Sequence, residues 1–534
     1  MLYLLDPLAY RIAKTSVRLS TIAALAGSVA TAGCDDDPLQ AWEYSSATAT
    51  ASSVVQIDQT HHEVVFVTPG DRELTVTRAG LDSRDERAIW SEPLRDGSGV
   101  LVLTGPSDLR KDHVGHKLYR FSQDGQGAPV VYPVQAPFNA VALSPDHRHA
   151  VLYFADADSE SPLHNANLVA IVNLDETTPP HHMTLQGFGG RLSNVHFPGQ
   201  TQEGTPSPTM VGDTMRDIVA FLADGEVILA DLDHPDANQP AVALDDTAGA
   251  RPIATLMRPG NELYTEPAVF VRFDGGRDVS MLSLRPKEGA QGHFTFDQSP
   301  LTVGSGTRDM SFYDDGDVPL FVASNADEGS LVFTDIRTEQ SFDVYLGQGV
   351  GQLSLRTHHA ESAAVDQAVV WRRGGDVVYT LDLDDIQDAV GRRPTEYRVS
   401  GGIAGLIKLD NDRVLVGAPS QLVVIDFARD QITPFAVSGE YREFEAGLQA
   451  DSLLLGSEGS AWISRVDLET LAPQSVLLDH YVDQFFLLSA SNNVVALHDH
   501  DGAGLLTVTP TADFSRAGSK TYWGFLAQGV LDRD

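Results

Sequence analysis

A single cysteine, Cys34, stands in 534 residues, so no intramolecular disulfide is available and the fold must rest on its core. Long apolar runs are missing as well: nothing approaches the roughly 20 residues of a convincing membrane-spanning helix. Basic residues are scarce. Lys and Arg total 37 against 74 Asp and Glu, which leaves a formal charge of −37, and six of the basic residues are lysine. Such a chain repels phosphate, and nucleic acid is excluded as a partner. A GC-rich coding sequence and a saline habitat would each produce this balance. Helical periodicity is confined to one candidate turn at 385–390 (DIQDAV). Signatures of common catalysis are lacking too. There is no G-x-S-x-G elbow, no phosphate-binding glycine loop and no G-x-G-x-x-G ahead of a helix; Gly304-Ser305-Gly306 has no strand–turn–helix context.

What is present is a repeat. At 414–439, VLVGAPSQLVVIDFARDQITPFAVSG reads as strand, turn, strand ending in Asp426, turn and strand. The strand that ends in Asp recurs at VILADL (Asp231), LVFTDI (Asp335), VVYTLDL (Asp382) and WISRVDL (Asp467). Degenerate copies are LVAIVNL, MLSL, LLTVTP, KLYRF (Arg120-Phe121) and LTVTR around Thr77. Each of the five Asp copies follows another apolar run, such as DIVAFL, PLFVAS or SLLLGS. The recurring Asp suits a turn, where its carboxylate accepts backbone N–H groups. The period of roughly 40–60 residues is the length of one four-stranded blade, whose two apolar faces are buried by radial stacking.

The pattern resembles the β-propeller superfamily, and LVVIDFARDQITPFAVSG is similar to a YVTN-type or tryptophan–aspartate-type blade. The resemblance implies an all-β single propeller over 53–534. Ten units are counted, so the expectation is seven to ten blades. The terminal segment KTYWGFLAQGV (520–530) is strand-like and is expected to complete the first blade.

Residues 1–33 read as an export signal, with Arg11, Lys14 and Arg18 ahead of the small-residue run LSTIAALAGSVATA. Ala32-Gly33-Cys34 resembles the bacterial lipobox, although Thr31 stands where leucine is usual. That resemblance implies a lipid on Cys34, a flexible tether over 34–52 and attachment to a membrane of the cell envelope. Removing 1–33 takes away three positive charges and one negative, so the mature charge becomes −37 − 2 = −39.

Several groups are candidates for chemistry. His61-His62, His181-His182 and His358-His359 are adjacent pairs, which in a strand would point to opposite faces. His498 and His500 share a face but also read as a hairpin turn; His113 and His116 lie in another polar loop. The clusters Asp156/Asp158/Glu160, Asp231/Asp233/Asp236, Asp314/Asp315/Asp317 and Asp382/Asp384/Asp385 offer oxygens suited to calcium, without the EF-hand pattern. Trp42, Trp90, Trp371, Trp462 and Trp523 form no stripe and are expected in core or blade-edge packing.

The function expected is a non-catalytic scaffold for binding or assembly, monomeric and without a cofactor, that meets protein partners through loop faces. Insertions at 156–167, 199–216 and 260–267 would decorate those faces. The alternative is a propeller enzyme of lactonase or quinoprotein type, with a metal or cofactor in the channel.

Overall fold

The computed structural model describes residues 44–526 except 46, 71–72, 107–114, 145, 156–164, 176, 188–190, 198–217, 238–240, 245–250, 259–265, 275–277, 288–289, 291–292, 316–317, 349, 361–362, 385, 387–392, 411, 419–420, 436–443, 450–451, 458, 468 and 499–503. Cys34, the signal, most of the tether and most of the three insertions lie outside the described residues. So do His113, His500, Asp156, Asp158, Glu160 and Trp42.

Ten four-stranded antiparallel sheets follow one another along the chain, each built from four consecutive strands. The first strands of neighbouring blades approach one another and line the axis. In ring order they are Thr48–Ala49, Glu86–Pro93, Ala140–Leu143, Leu192–His196, Pro252–Arg258, Thr307–Asp315, Gln352–Ala360, Gly405–Lys408, Phe444–Gln449 and Val482–Leu488. The fourth strands form the rim: Leu74–Gly80, Val130–Val134, His181–Thr184, Val242–Ala243, Phe294–Thr302, Gln340–Tyr345, Thr395–Arg398, Gln431–Phe435, Pro473–Leu477 and Lys520–Trp523. Among the described residues the helical content is one 3-10 turn, Thr511–Asp513.

The burial of each strand explains its composition. Second and third strands such as Ile218–Ala223 and Leu168–Asn173 are buried on both faces and read as continuous apolar runs. Rim strands such as Gln431–Phe435 are exposed almost throughout and carry polar residues. Ten separate apolar cores lie between successive blades, and the last joins blade 10 to blade 1. The ring is therefore closed. Radial stacking buries the two faces that a lone blade would expose.

The ring departs from the sequence expectation at three places. Lys520–Trp523 pairs with Leu505–Pro510 and completes blade 10, whereas blade 1 draws its inner strand from Thr48–Ala49, inside the stretch read as tether. Closure is made by packing: Phe525 and Leu526 enter the core shared with Val54, Val65 and Val67. LTVTR is the rim strand of blade 1, whose third strand is Glu63–Pro69. The blade count is ten, the upper end of the expected range.

The recurring aspartates share a turn. Asp335 and Asp426 each precede a four-residue connection to the rim strand, and Asp467 precedes four residues before Ala472, whose carbonyl takes its N–H at 3.2 Å ahead of the rim strand at Pro473. Their carboxylates accept from Arg337 N at 2.9 Å, Arg429 N at 3.0 Å and Thr470 N at 2.7 Å. The fourth residue after each Asp, namely Glu339, Asp430 and Leu471, has φ of 56°, 50° and 53°. The Asp cap thus holds a non-glycine residue in the left-handed region, where the chain turns back. Asp231 accepts from Asp233 N at 2.9 Å and pairs with His234, while Asp382 takes the Gln367 side-chain amide at 2.8 Å.

Candidate functional site

Turns between second and third strands, together with blade-to-blade connections, form one face of the ring. There a polar and aromatic arc crosses blades 10, 1 and 2. In blade 1 the hairpin from Val54–Asp58 to Glu63–Pro69 uses the same Asp-anchored turn: Asp58 Oδ1 accepts from Thr60 N at 3.0 Å and His61 N at 2.9 Å, and His62 has φ 59°. Asp58 is fully buried, and its other oxygen meets His61 Nδ1 at 2.7 Å and the Arg78 guanidinium at 3.5 Å. Arg78 also pairs with Glu63 at 3.2 Å and donates to Leu526 O, a tie from blade 1 to the end of blade 10. Burial, then the neighbouring Asp58, push the Tyr44 phenol well above its ordinary value. His61-His62 therefore sit in a turn and diverge. His62 Nδ1 donates to Glu86 O and so joins blade 1 to blade 2.

Glu86 opens the inner strand of blade 2 and is fully buried. Tyr119 Oη donates to it at 2.7 Å and Lys117 Nζ at 2.6 Å, with Thr104 Oγ1 at 3.3 Å. Lys117 also reaches the half-exposed Asp82 at 2.9 Å. Burial alone would lower the Lys117 pKa, but hydrogen bonds to Glu86 and Asp82 hold it above the usual lysine value. Burial, then the Glu86 bond, push the Tyr119 phenol up. This carboxylate, ammonium and phenol satisfy one another. A buried charge so paired orders a surface and is costly to break.

In blade 10 the row Val482, His498, Leu505 and Trp523 crosses the same face. His498 is buried, which lowers its pKa and keeps the imidazole neutral. Its Nδ1 lies 2.9 Å from Tyr481 O, and a carbonyl only accepts, so Nδ1 carries the proton. Nε2 then accepts from Thr507 Oγ1 at 2.8 Å. Both ring nitrogens are engaged, which removes His498 as a metal ligand. Beside it His480 meets Trp523 edge-to-face at 5.6 Å. Trp523 is 59% exposed and Tyr481 72%, so these rings present apolar area to solvent. Trp523 stands on the rim strand of blade 10, at a blade edge. Trp371 lies in the core between blades 7 and 8, and Trp90 packs against that between blades 2 and 3.

The acidic clusters separate. Asp231 is tied to its own turn, while Asp236 is exposed and pairs with His181 at 3.4 Å. Asp384 accepts from Asp366 N at 3.1 Å, on a different partner from Asp382. Asp385 lies outside the described residues, as do the side chains of Asp314, Asp315, Asp317, His358 and His359. Among the described residues no group of three or more His, Cys, Asp or Glu side chains is placed to hold a metal ion. Sequence reading missed Asp58, Arg78, Glu86, Lys117 and Tyr119. One signal was available: VVQID at 54–58 ends in Asp, as the repeat strands do.

No protein-family model matches the sequence, and no curated protein does. Among solved structures the chain is similar to dihydro-heme d1 dehydrogenase NirN in complex with DHE, at 14% identity and TM-score 0.41, covering 67% of this chain and 70% of that one. It is similar to a eukaryotic initiation factor at 8% identity and TM-score 0.43, covering 90% and 96%. A third is apo AztD from Citrobacter koseri, at 11% identity and TM-score 0.35, covering 68% and 92%. At these identities the likeness concerns the fold alone.

Proposed function

We propose that the chain is a non-catalytic binding or assembly scaffold of the cell envelope, held at a membrane by a lipid on Cys34. It meets a protein partner through the face formed by blades 10, 1 and 2. The observation that carries this reading is the exposed pair Tyr481 and Trp523 beside an arc whose charged groups satisfy one another. Exposed Trp and Tyr on a rigid base are the residue types that anchor protein interfaces. The buried Asp58 and Glu86 networks supply that base, and the ring fixes their positions.

A photo-cross-linking residue placed at 481 or 523 in the producing cells tests this, with 474 on the rim of blade 9 as control. A discrete adduct at 481 and 523, missing at 474, is the expected result. Equal, diffuse labelling at all three positions would overturn the assignment of this face.

A further inference from the structure

Hydrogen bonds between blades differ in what acid does to them. Arg272 donates to Thr307 O at 2.9 Å, Arg465 to Thr511 O at 3.0 Å and Arg78 to Leu526 O, each a guanidinium on a carbonyl of a neighbouring blade. Arginine stays charged, so these ties are indifferent to pH. Between blades 6 and 7 Asp309 accepts from Leu353 N, and a carboxyl still accepts through its carbonyl oxygen once protonated. Between blades 1 and 2 His62 Nδ1 donates to Glu86 O, which an imidazolium does equally well.

Blades 2 and 3 are joined differently. His147 lies in the turn between the first two strands of blade 3, with φ 55°, and its Nδ1 accepts from Arg95 N at 2.8 Å in the corresponding turn of blade 2. His182 lies on the rim strand His181–Thr184, and its Nε2 accepts from Gln135 N at 3.1 Å in the connection that leaves blade 2. Its Nδ1 stands 3.1 Å from Pro180 O, and a carbonyl only accepts, so Nδ1 carries the proton and the Nε2 lone pair is committed to Gln135. Protonation of either imidazole sets N–H against N–H and removes the bond outright. His147 faces Arg95 and Asp96 of blade 2, with Arg120 beyond Asp96, and Asp146 of its own turn. His182 faces the Phe138 ring and His181, which pairs with Asp236 of blade 4. Burial holds both imidazoles below the ordinary histidine value, His147 at about 4, so both are neutral acceptors at neutral pH.

We propose that the boundary between blades 2 and 3 is an acid-sensitive seam, in which protonation of His147 and His182 releases the turn at 94–98 and Gln135 from blade 3. Two ties of the same boundary outlast acid: Arg120 and Tyr132 both donate to Leu174 O. The shared core of Leu101, Leu103 and Leu152 carries no titrating group. The seam therefore loosens at two places while the blades stay stacked.

Hydrogen–deuterium exchange of the full chain at pH 7 and pH 5, read by mass spectrometry and corrected for the intrinsic effect of pH on exchange, tests this. Ordinary carboxylates stay largely ionised at pH 5, so the histidines are the groups that respond. A histidine at the ordinary value when released and at about 4 when bound raises the open population about twentyfold over that interval. The peptide holding Arg95 loses protection by that factor. The peptide holding Gln135 loses protection too, while Val318–Asn325 in blade 6 keeps its own. His147→Asn puts an amide oxygen where Nδ1 stands and tolerates the left-handed φ; His182→Gln does the same for Nε2. Neither amide titrates, so the double variant keeps both peptides protected at pH 5. His147→Ala leaves the Arg95 peptide open at both pH values. Equal wild-type protection at pH 7 and pH 5 overturns the proposal. So does an acid loss in the double variant that matches wild type, or one that spreads evenly into Val318–Asn325.

Discussion

Nine interfaces of the ring are crossed by the chain itself, and the interface between blades 10 and 1 is held by non-covalent contacts: the shared apolar core and a few hydrogen bonds, among them Ala490 N to Ala51 O at 2.9 Å. Phe525 is the perturbation that isolates it. The ring is 2% exposed and packs with Leu526, Val54, Val65, Val67, Leu497 and Leu506. Phe525→Ala removes that area and leaves a cavity, which costs about 3–5 kcal/mol in a core that cannot collapse. A matched control is Phe270→Ala between blades 5 and 6, a fully buried ring stacked on Phe321 at 4.7 Å, with a cost of the same order. The two differ in where the loss is felt. Opening at blades 10 and 1 exposes Val54–Asp58, Glu63–Pro69, Asn493–His498 and Leu505–Pro510 while the remaining cores stay stacked. Hydrogen–deuterium exchange read by mass spectrometry separates the cases. Phe525→Ala speeds exchange in those four strands, whereas Phe270→Ala leaves them protected. A Phe525→Ala protein within about 1 kcal/mol of wild type in urea, with blade 1 exchange unchanged, would refute closure by this core.

Three further outcomes are expected. Asp309 is half-buried, and desolvation raises its pKa above the ordinary carboxylate value, so its contribution is fullest in acid and is lost as pH rises from that ordinary value through the folded one. It also accepts from Leu353 N and Met310 N, both at 2.9 Å, so Asp309→Asn should flatten that slope in melts against pH while Asp309→Ala costs about 1–3 kcal/mol at every pH. His147 has φ 55°, accepts from Arg95 N at 2.8 Å, and burial lowers its pKa to about 4. Its contribution is present above pH 6.5 and is lost as pH falls towards 4, by roughly 2–4 kcal/mol, and His147→Asn, which tolerates that φ, should lose this acid slope in melts across the window. The lipid proposed on Cys34, a residue outside the described ones, predicts that Cys34→Ser in the producing cells abolishes incorporation of an alkyne-tagged fatty acid and releases the protein from membranes, read by in-gel fluorescence after fractionation.

The sequence made several third strands legible because they are largely buried runs closed by a residue with a visible job. At Asp335, Asp426 and Asp467 that job is to cap the turn that follows. Blade 1 escaped this reading because its third strand ends in Pro69, and the alignment slid to the rim strand Leu74–Gly80. Inner strands such as Thr48–Ala49 and Gly405–Lys408 are short, and their neighbours are other blades, so no local period marks them. The ties between blades are less visible still. Gln484 Oε1 accepts from Ala47 N at 3.1 Å across 437 residues of sequence, and Asp309 reaches Leu353 in the next blade at the equivalent place in its strand. Both lie at the irregularity that opens the inner strand, where a bulge turns a side chain towards the neighbouring blade. The candidate face was hidden for the same reason: Arg78, Glu86 and Trp523 belong to three different blades.

The central claim is that the acidic and histidine side chains of this propeller hold turns and blades together, leaving recognition to an exposed aromatic face. Elemental analysis of the purified chain by plasma mass spectrometry, with melts before and after chelation, tests it most directly. The account predicts no stoichiometric metal and a melt that the chelator leaves unmoved. A stoichiometric metal whose removal lowers the melt would contradict it and return the channel to the centre of the function.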